Sequence, residues 1–131
     1  MAYVVPDASE TAVLQTAINA GNLKLKLFKN NATITSSTVL SDLTESTYTG
    51  YSAKTLTSGS FTVSSSSGTA QAVYANQTFA CTSGSESVYG AFITDSAGTT
   101  LWGVQKFATA LTISPGNDII LPVKLTMASV N

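Results

Sequence analysis

Ser87-Val88-Tyr89-Gly90-Ala91-Phe92-Ile93-Thr94 runs into Asp95-Ser96-Ala97-Gly98 and then into Thr99–Ala108. Ser114-Pro115-Gly116-Asn117-Asp118 and Ile119–Met127 follow. The order reads as strand, turn, returning strand, second turn and closing strand. Asp at the head of a turn, Pro early in it and Gly late each have a local backbone reason to stand there. Ile119, Leu121, Val123, Leu125 and Met127 share one face by period two, the pattern of a half-buried antiparallel strand. Ser87–Met127 is therefore expected to form an antiparallel meander, and Pro122 places its last strand at a sheet edge or at a bulge.

Working outward, 131 residues suffice for a single domain with one two-layer core. Charged residues make up 10% of the chain, well under the roughly 25% of an average globular protein. Ser and Thr occupy 38 positions, which predicts a neutral, hydroxyl-rich surface. All six basic residues are Lys, and neither Arg nor His occurs. A net charge of −1 offers no electrostatic footprint for nucleic acid or an anionic membrane. So weak a charge also guards poorly against self-association, a hint that the chain works within an assembly. Cys81 stands alone and reads as a small buried hydrophobe. The start, Met1-Ala2-Tyr3-Val4-Val5-Pro6, has neither the basic n-region nor the long apolar h-region of a signal peptide. No apolar run approaches the roughly 20 residues of a membrane span, so the chain is expected to be soluble and made in a cytoplasm.

Residues 7–20 form the one convincing helix. Asp7 as N-cap and Glu10 three residues on have capping-box spacing. Val13, Leu14, Ala17 and Ile18 make an apolar stripe, and Gly21 stands where a left-handed C′ residue ends a helix. Residues 1–6 before it read as a short strand or an extended arm that reaches a neighbour. In Asn22–Lys29 the leucines Leu23, Leu25 and Leu27 point to a core, while Lys24 and Lys26 stand in water and guard a sheet edge. Asn30–Ser46 is a long loop anchored by Leu40 and Leu43, and loops of this length are usually functional or interface-forming. Its acids, Asp42 and Glu45, read as surface groups, too few for a divalent cation.

Tyr48–Thr57 reads as a strand with Gly50 at a bulge or close approach. Phe61–Ser64 leads into the Ser64–Gly68 hairpin tip, and Thr69–Cys81 returns as two short strands parted near Asn76. The expected fold is all-β: one antiparallel β-sandwich or jelly-roll-like domain of about eight strands over residues 22–127, with one short N-terminal α-helix.

Chemistry finds few carriers. Without His the commonest general base and zinc ligand is missing, and without Arg there is no bidentate clamp for phosphate or carboxylate. Seven acids, nearly all in turns, loops or the helix cap, are a poor source of a glycosidase pair. The glycines form no phosphate loop, and Asn31-Ala32-Thr33 and Asn76-Gln77-Thr78 match the short glycosylation sequon. The expectation is a protein that is not an enzyme and binds no cofactor and no metal. Trp102 falls on one strand face with Val104 and Lys106, opposite Leu101, Gly103 and Phe107. Tyr89 can neighbour it across the hairpin. Trp102 is read as core or subunit interface first, and as part of a sugar-stacking platform second.

Four segments, taken together, resemble a group of small virion proteins of tailed bacteriophages. They are Leu25–Asn31 (L-K-L-F-K-N-N), Leu40–Tyr51 (L-S-D-L-T-E-S-T-Y-T-G-Y), Val88–Asp95 (V-Y-G-A-F-I-T-D) and Leu101–Val104 (L-W-G-V). Gly116-Asn117-Asp118-Ile119-Ile120 fits the same pattern, so the likeness spans roughly residues 20–127. The resemblance implies a virion structural protein, with no catalytic residues. As a capsid decoration (cement) protein it would bind the outer surface of the major capsid lattice, made in the host cytoplasm and working as a homo-oligomer, a trimer or dimer. The alternatives are a tail, baseplate or fibre-associated subunit, or a glycan-binding module on the virion surface. The interface residues expected are Tyr3, Val4 and Val5 in the arm, Asn30, Asn31 and Leu40 in the loop, and Trp102. Within the loop, Leu43 is expected to be buried, Glu45 to accept backbone hydrogen bonds, Gly50 to permit a turn and Tyr51 to cover the core.

Overall fold

Period-two alternation along most of the chain becomes two antiparallel sheets facing each other, with one helix at their side. The fold is seen in a computed structural model that describes residues 6–66 and 69–128, at 7, 66, 127 and 128 the backbone only. Helix α1 (Asp7–Asn19) precedes β1 (Leu23–Phe28), β2 (Lys54–Leu56), β3 (Thr62–Ser66), β4 (Thr69–Phe79), β5 (Glu86–Asp95), β6 (Leu101–Ile113) and β7 (Ile119–Ala128). One sheet has the order β2-β1-β5-β6 and the other β3-β4-β7. This is a sandwich-like, mainly β fold, as expected, with seven strands among the described residues where about eight were expected.

The expected meander splits. Asp95–Gly98 does close a hairpin: the Gly98 amide donates to the Asp95 carbonyl at 3.1 Å, Gly98 has φ +75°, and β5 pairs with β6. The second turn also forms, with the Asn117 amide donating to the Ser114 carbonyl at 2.9 Å and Gly116 at φ +82°. It does not return the chain to β6, however. β7 crosses to the other sheet and pairs with β4. Its inward face is as read, with Ile119, Leu121 and Val123 buried and Ile120 61% exposed. Pro122 meets both expectations placed on it. β7 is an edge strand, and Pro122 lies opposite Ala75 and Asn76 of a bulge in β4, between the pairs Tyr74↔Val123 and Gln77↔Leu121. The bulge keeps β4 one continuous strand, not two.

Leu23, Leu25 and Leu27 enter the space between the sheets with Leu56, Val88, Ile93, Phe79 and Ile113. Leu14 and Ile18 of α1 join the same core beside Ala70 and Ala72, small residues that leave room for the helix against β4. Each such fully buried side chain contributes about 1.5–3 kcal/mol relative to exposure. Val13, expected in the stripe, is 53% exposed. Pro6 holds the cap position, so Asp7 begins the helix instead of capping it. At the other end Ala20 closes the last turn on the Ala17 carbonyl, and Gly21 is not among the positive-φ glycines. β2 keeps only three residues of the predicted Tyr48–Thr57 strand, because Gly50 at φ +94° turns the chain before it. β1 lies between β2 and β5, so Lys24 and Lys26 guard no edge. Cys81 is buried, as read.

Candidate interaction surface

Phe28 points away from the leucines of β1, on the side with the lysines, yet is fully buried. The outer face of its sheet carries a second, smaller core of Phe28, Ala32, Leu43 and Phe92, ringed by Ile34, Leu40, Tyr89, Leu101 and Val104. Residues 29–47, the long loop, are its lid. The Phe28 and Phe92 rings sit 6.3 Å apart in a tilted pair. Leu43 is buried as expected, and Leu40 is half-buried at the start of a 3-10 turn, Leu40–Asp42.

Polar groups hold the lid in register. The Lys29 amide donates to the Thr44 carbonyl at 2.8 Å and the Ser46 amide to the Leu27 carbonyl at 2.9 Å, so the loop's return runs beside β1 beyond the end of β2. Asn30 extends that ladder with its side chain: Nδ2 donates to the Asp42 carbonyl and Oδ1 accepts from the Thr44 amide, both at 2.8 Å. Asn31 is exposed and accepts from Lys106 Nζ at 2.7 Å, tying the lid to β6. Asp42 accepts the Val39 amide at 3.0 Å.

Glu45 does not take backbone hydrogen bonds. Its carboxylate accepts the Tyr51 hydroxyl at 2.6 Å and lies 3.9 Å from Lys26 Nζ. Tyr51 also accepts the Leu27 amide at 3.3 Å and stacks on Phe79 with centroids 6.2 Å apart, so it does cover the core. Burial, then the hydrogen bond to Glu45, pushes the Tyr51 phenol far above its ordinary range. Tyr48, packed edge-on against Tyr51, is raised to about 12, chiefly by burial. Lys29 donates to Thr47 Oγ1 at 2.6 Å and lies 3.7 Å from Glu86, whose carboxylate accepts the Thr47 amide.

The expected interface residues separate into three places. Tyr3, Val4 and Val5 lie outside the described residues, as does part of the Ser64–Gly68 tip. Asn30, Asn31 and Leu40 come together in the lid, where Asn30 serves the fold first. Trp102 is elsewhere. Between the pairs Ile93↔Gly103 and Thr94↔Leu101, β6 carries it as one extra residue. This bulge breaks the alternation: Trp102 and Phe107 pack on the main core, whereas Leu101, Val104 and Tyr89 pack on the second one. Trp102 and Tyr89 therefore contact different sides of the sheet and form no common sugar platform.

Two recesses border these residues. A shallow one of about 480 Å³ lies between Thr38–Ser41 of the lid and Thr99–Leu101. A cleft of about 220 Å³ lies between β6 and β7, lined by Trp102, Leu121, Val123 and Leu125 among others. Pro122 was the sequence signal for the open edge at that cleft. Nothing in the sequence marked Val39, which the lid holds 53% exposed beside the shallow recess. Among the described residues no group of three or more His, Cys, Asp or Glu could hold a metal ion, and no helix is long and apolar enough to cross a membrane. No protein-family model, curated protein or solved structure matches the chain.

Proposed function

We propose that this chain is a non-enzymatic structural subunit of a tailed-bacteriophage particle, placed on the head as a decoration (cement) protein over the major capsid lattice. One observation carries the reading. The segments that resemble phage virion proteins are far apart in sequence but meet on one sheet face: Phe28, Leu43, Phe92, Leu101 and Val104 build the second core, and Asn30, Glu45 and Tyr51 fasten its lid. Their shared task is to hold residues 29–47 rigid against β1, β5 and β6. The crest of that lid exposes Thr33, Thr35, Ser36, Ser37 and Val39, an uncharged, hydroxyl-rich surface. Such a surface has no charge to desolvate on burial between neighbouring subunits, and its hydroxyls can hydrogen-bond across the contact. Symmetry on a lattice multiplies many weak contacts of this kind into stable attachment.

Stoichiometry in purified particles tests the reading. The expected result is a band whose copy number is comparable with that of the major capsid protein, lost from particles assembled without this chain. A much lower copy number moves the protein to the tail or baseplate. Absence from the particle overturns the virion reading.

A further inference from the structure

Nothing in the second core belongs to the first. Leu25, Leu27, Val88, Ile93 and Ile113 fill the space between the sheets, whereas Phe28, Ala32, Leu43 and Phe92 form a separate buried cluster on the outer face of one of them. The lid therefore closes a core of its own.

What fastens the lid falls into two groups. At its base the Lys29 amide donates to Thr44 and the Ser46 amide to Leu27, and the carboxylates of Glu45 and Glu86 accept from Tyr51 and from the Thr47 amide. Above the base, the one hydrogen bond among the described residues that joins residues 30–43 to the strands beneath is the exposed bond from Lys106 Nζ to Asn31. The rest of the hold is apolar, through Ala32 and Leu43 with the half-buried Ile34 and Leu40. The far edge is not packed down: the shallow recess lies between Thr38–Ser41 and Thr99–Leu101.

Inside the lid the bonds run from one leg to the other. Asn30 Nδ2 donates to the Asp42 carbonyl and Asn30 Oδ1 accepts the Thr44 amide, which ties the outgoing chain to the returning one. The Thr38, Asp42 and Leu43 amides donate to the carbonyls of Thr35, Val39 and Leu40, and the Val39 amide to the Asp42 carboxylate. Closed, the lid is a single piece, and legs so tied do not fray one at a time.

We propose that residues 30–43 are a conformational switch: they open as one cooperative unit while the sandwich stays intact, and uncover the apolar face of Phe28, Phe92, Leu101 and Val104. Segments with few buried apolar contacts and exposed hydrogen bonds open below the free energy of global unfolding, in contiguous units. A single 3-10 turn does not hold itself together in water, so the lid amides lose their protection when it leaves the sheet. Closed, this side of the protein is uncharged and hydroxyl-rich at the crest; open, it is apolar. Contacts to the crest favour the closed state and contacts to the uncovered face the open one.

The purified native chain tests this without regard to the virion reading. Amide hydrogen exchange is followed in rising urea, well below the midpoint of global unfolding. It compares Thr38, Val39, Asp42 and Leu43 with the amides of β5, the strand paired on both sides by β1 and β6. The four lid amides should converge on one urea dependence and exchange at least about tenfold faster than those of β5. Two variants separate the units. Leu43→Ala removes a lid anchor and should speed the four by at least about tenfold. Ile113→Val thins only the main core; it should speed β5 exchange by about two- to tenfold and leave the lid amides at their native rates. Lid amides that exchange with β5, or that follow Ile113→Val, overturn the proposal, because the lid then opens only with the whole fold. Four unrelated rates that ignore urea overturn it too, as fraying residue by residue.

Discussion

Gly90 lies directly against the ring of Phe28, its cross-strand partner: a Cβ at Gly90 would come within 2.5 Å of Phe28 Cε1 and Cζ and would also collide with the Gln105 carbonyl. The ring is buried and the carbonyl belongs to a paired strand, so neither can move aside freely. Overpacking ordinarily costs about 1–3 kcal/mol, and contact with backbone puts this site at the upper end. Gly90→Ala should lower the urea midpoint accordingly. Urea titration followed by Trp102 fluorescence measures it, and an unchanged midpoint would show that Phe28 has another place to go.

Tyr51 joins β1 to the lid through its hydroxyl, and Tyr51→Phe tests that joint without emptying the ring's place. The Leu27 amide loses its acceptor and Glu45 its donor. Leaving a buried donor unmet costs about 1–3 kcal/mol, so the variant should be destabilised within that range at neutral pH. Alkali gives a second readout. Tyr51 and Tyr48 both have folded pKa values above the unfolded value of 10.0. Their stabilisation is complete below pH 10 and is lost as pH rises from there through 12 and beyond. Each retained proton steepens the loss by about 1.4 kcal/mol per pH unit. Tyr51→Phe should therefore flatten the alkaline arm of a stability–pH profile while lying below the native curve at pH 7.

How far the sequence revealed this fold depends on which signals are local. The β5–β6 hairpin was legible because Asp95 and Gly98 are required by the turn itself. The leucines of β1 were legible because alternation reports a buried face. The crossing of β7 was not, since Ser114–Asn117 has the same backbone chemistry whether the next strand returns to its sheet or leaves it. The second core was hidden because Phe28 shares a face with Lys24 and Lys26, which reads as solvated until a distant loop covers it. Two irregularities defeated face assignment in β6: the residue inserted at Trp102 reverses the side chains that follow it, and the register with β5 shifts again between Lys106 and Leu111.

Asp95 is the polar centre of the β5–β6 turn. Its carboxylate accepts from the Thr99 amide and Thr99 Oγ1 at 2.7 Å and from the Thr100 amide at 3.2 Å. These bonds, led by that of the Thr99 hydroxyl, hold its pKa below the ordinary value of 3.8. A depressed carboxylate stabilises the fold above its unfolded pKa, and that contribution fades as pH falls through the lower folded value. Asp95→Asn should thus lower the Tm at pH 7, with the difference from the native chain shrinking toward zero in strong acid. Paired thermal melts across pH 2–7 measure it; a difference independent of pH would assign the effect to shape alone.

Asn30 and Leu43 offer a way to separate the lid's structural role from its contacts. Leu43→Ala removes a buried anchor of the second core and should cost about 2–5 kcal/mol, loosening residues 29–47 while the main core stays closed. Asn30→Ala removes two side-chain hydrogen bonds to backbone and should cost less, about 1–3 kcal/mol. Both should speed proteolytic cleavage within residues 31–41, with Leu43→Ala the faster. Asn31→Ala should leave the rate near that of the native chain, because its single exposed bond to Lys106 is worth little against solvent. If Asn30 mattered only to a partner, cleavage of the isolated chain would be indifferent to its loss. Comparing the three rates under one protease concentration decides whether the lid is held from below, by its own fold, or waits for a neighbouring subunit to hold it.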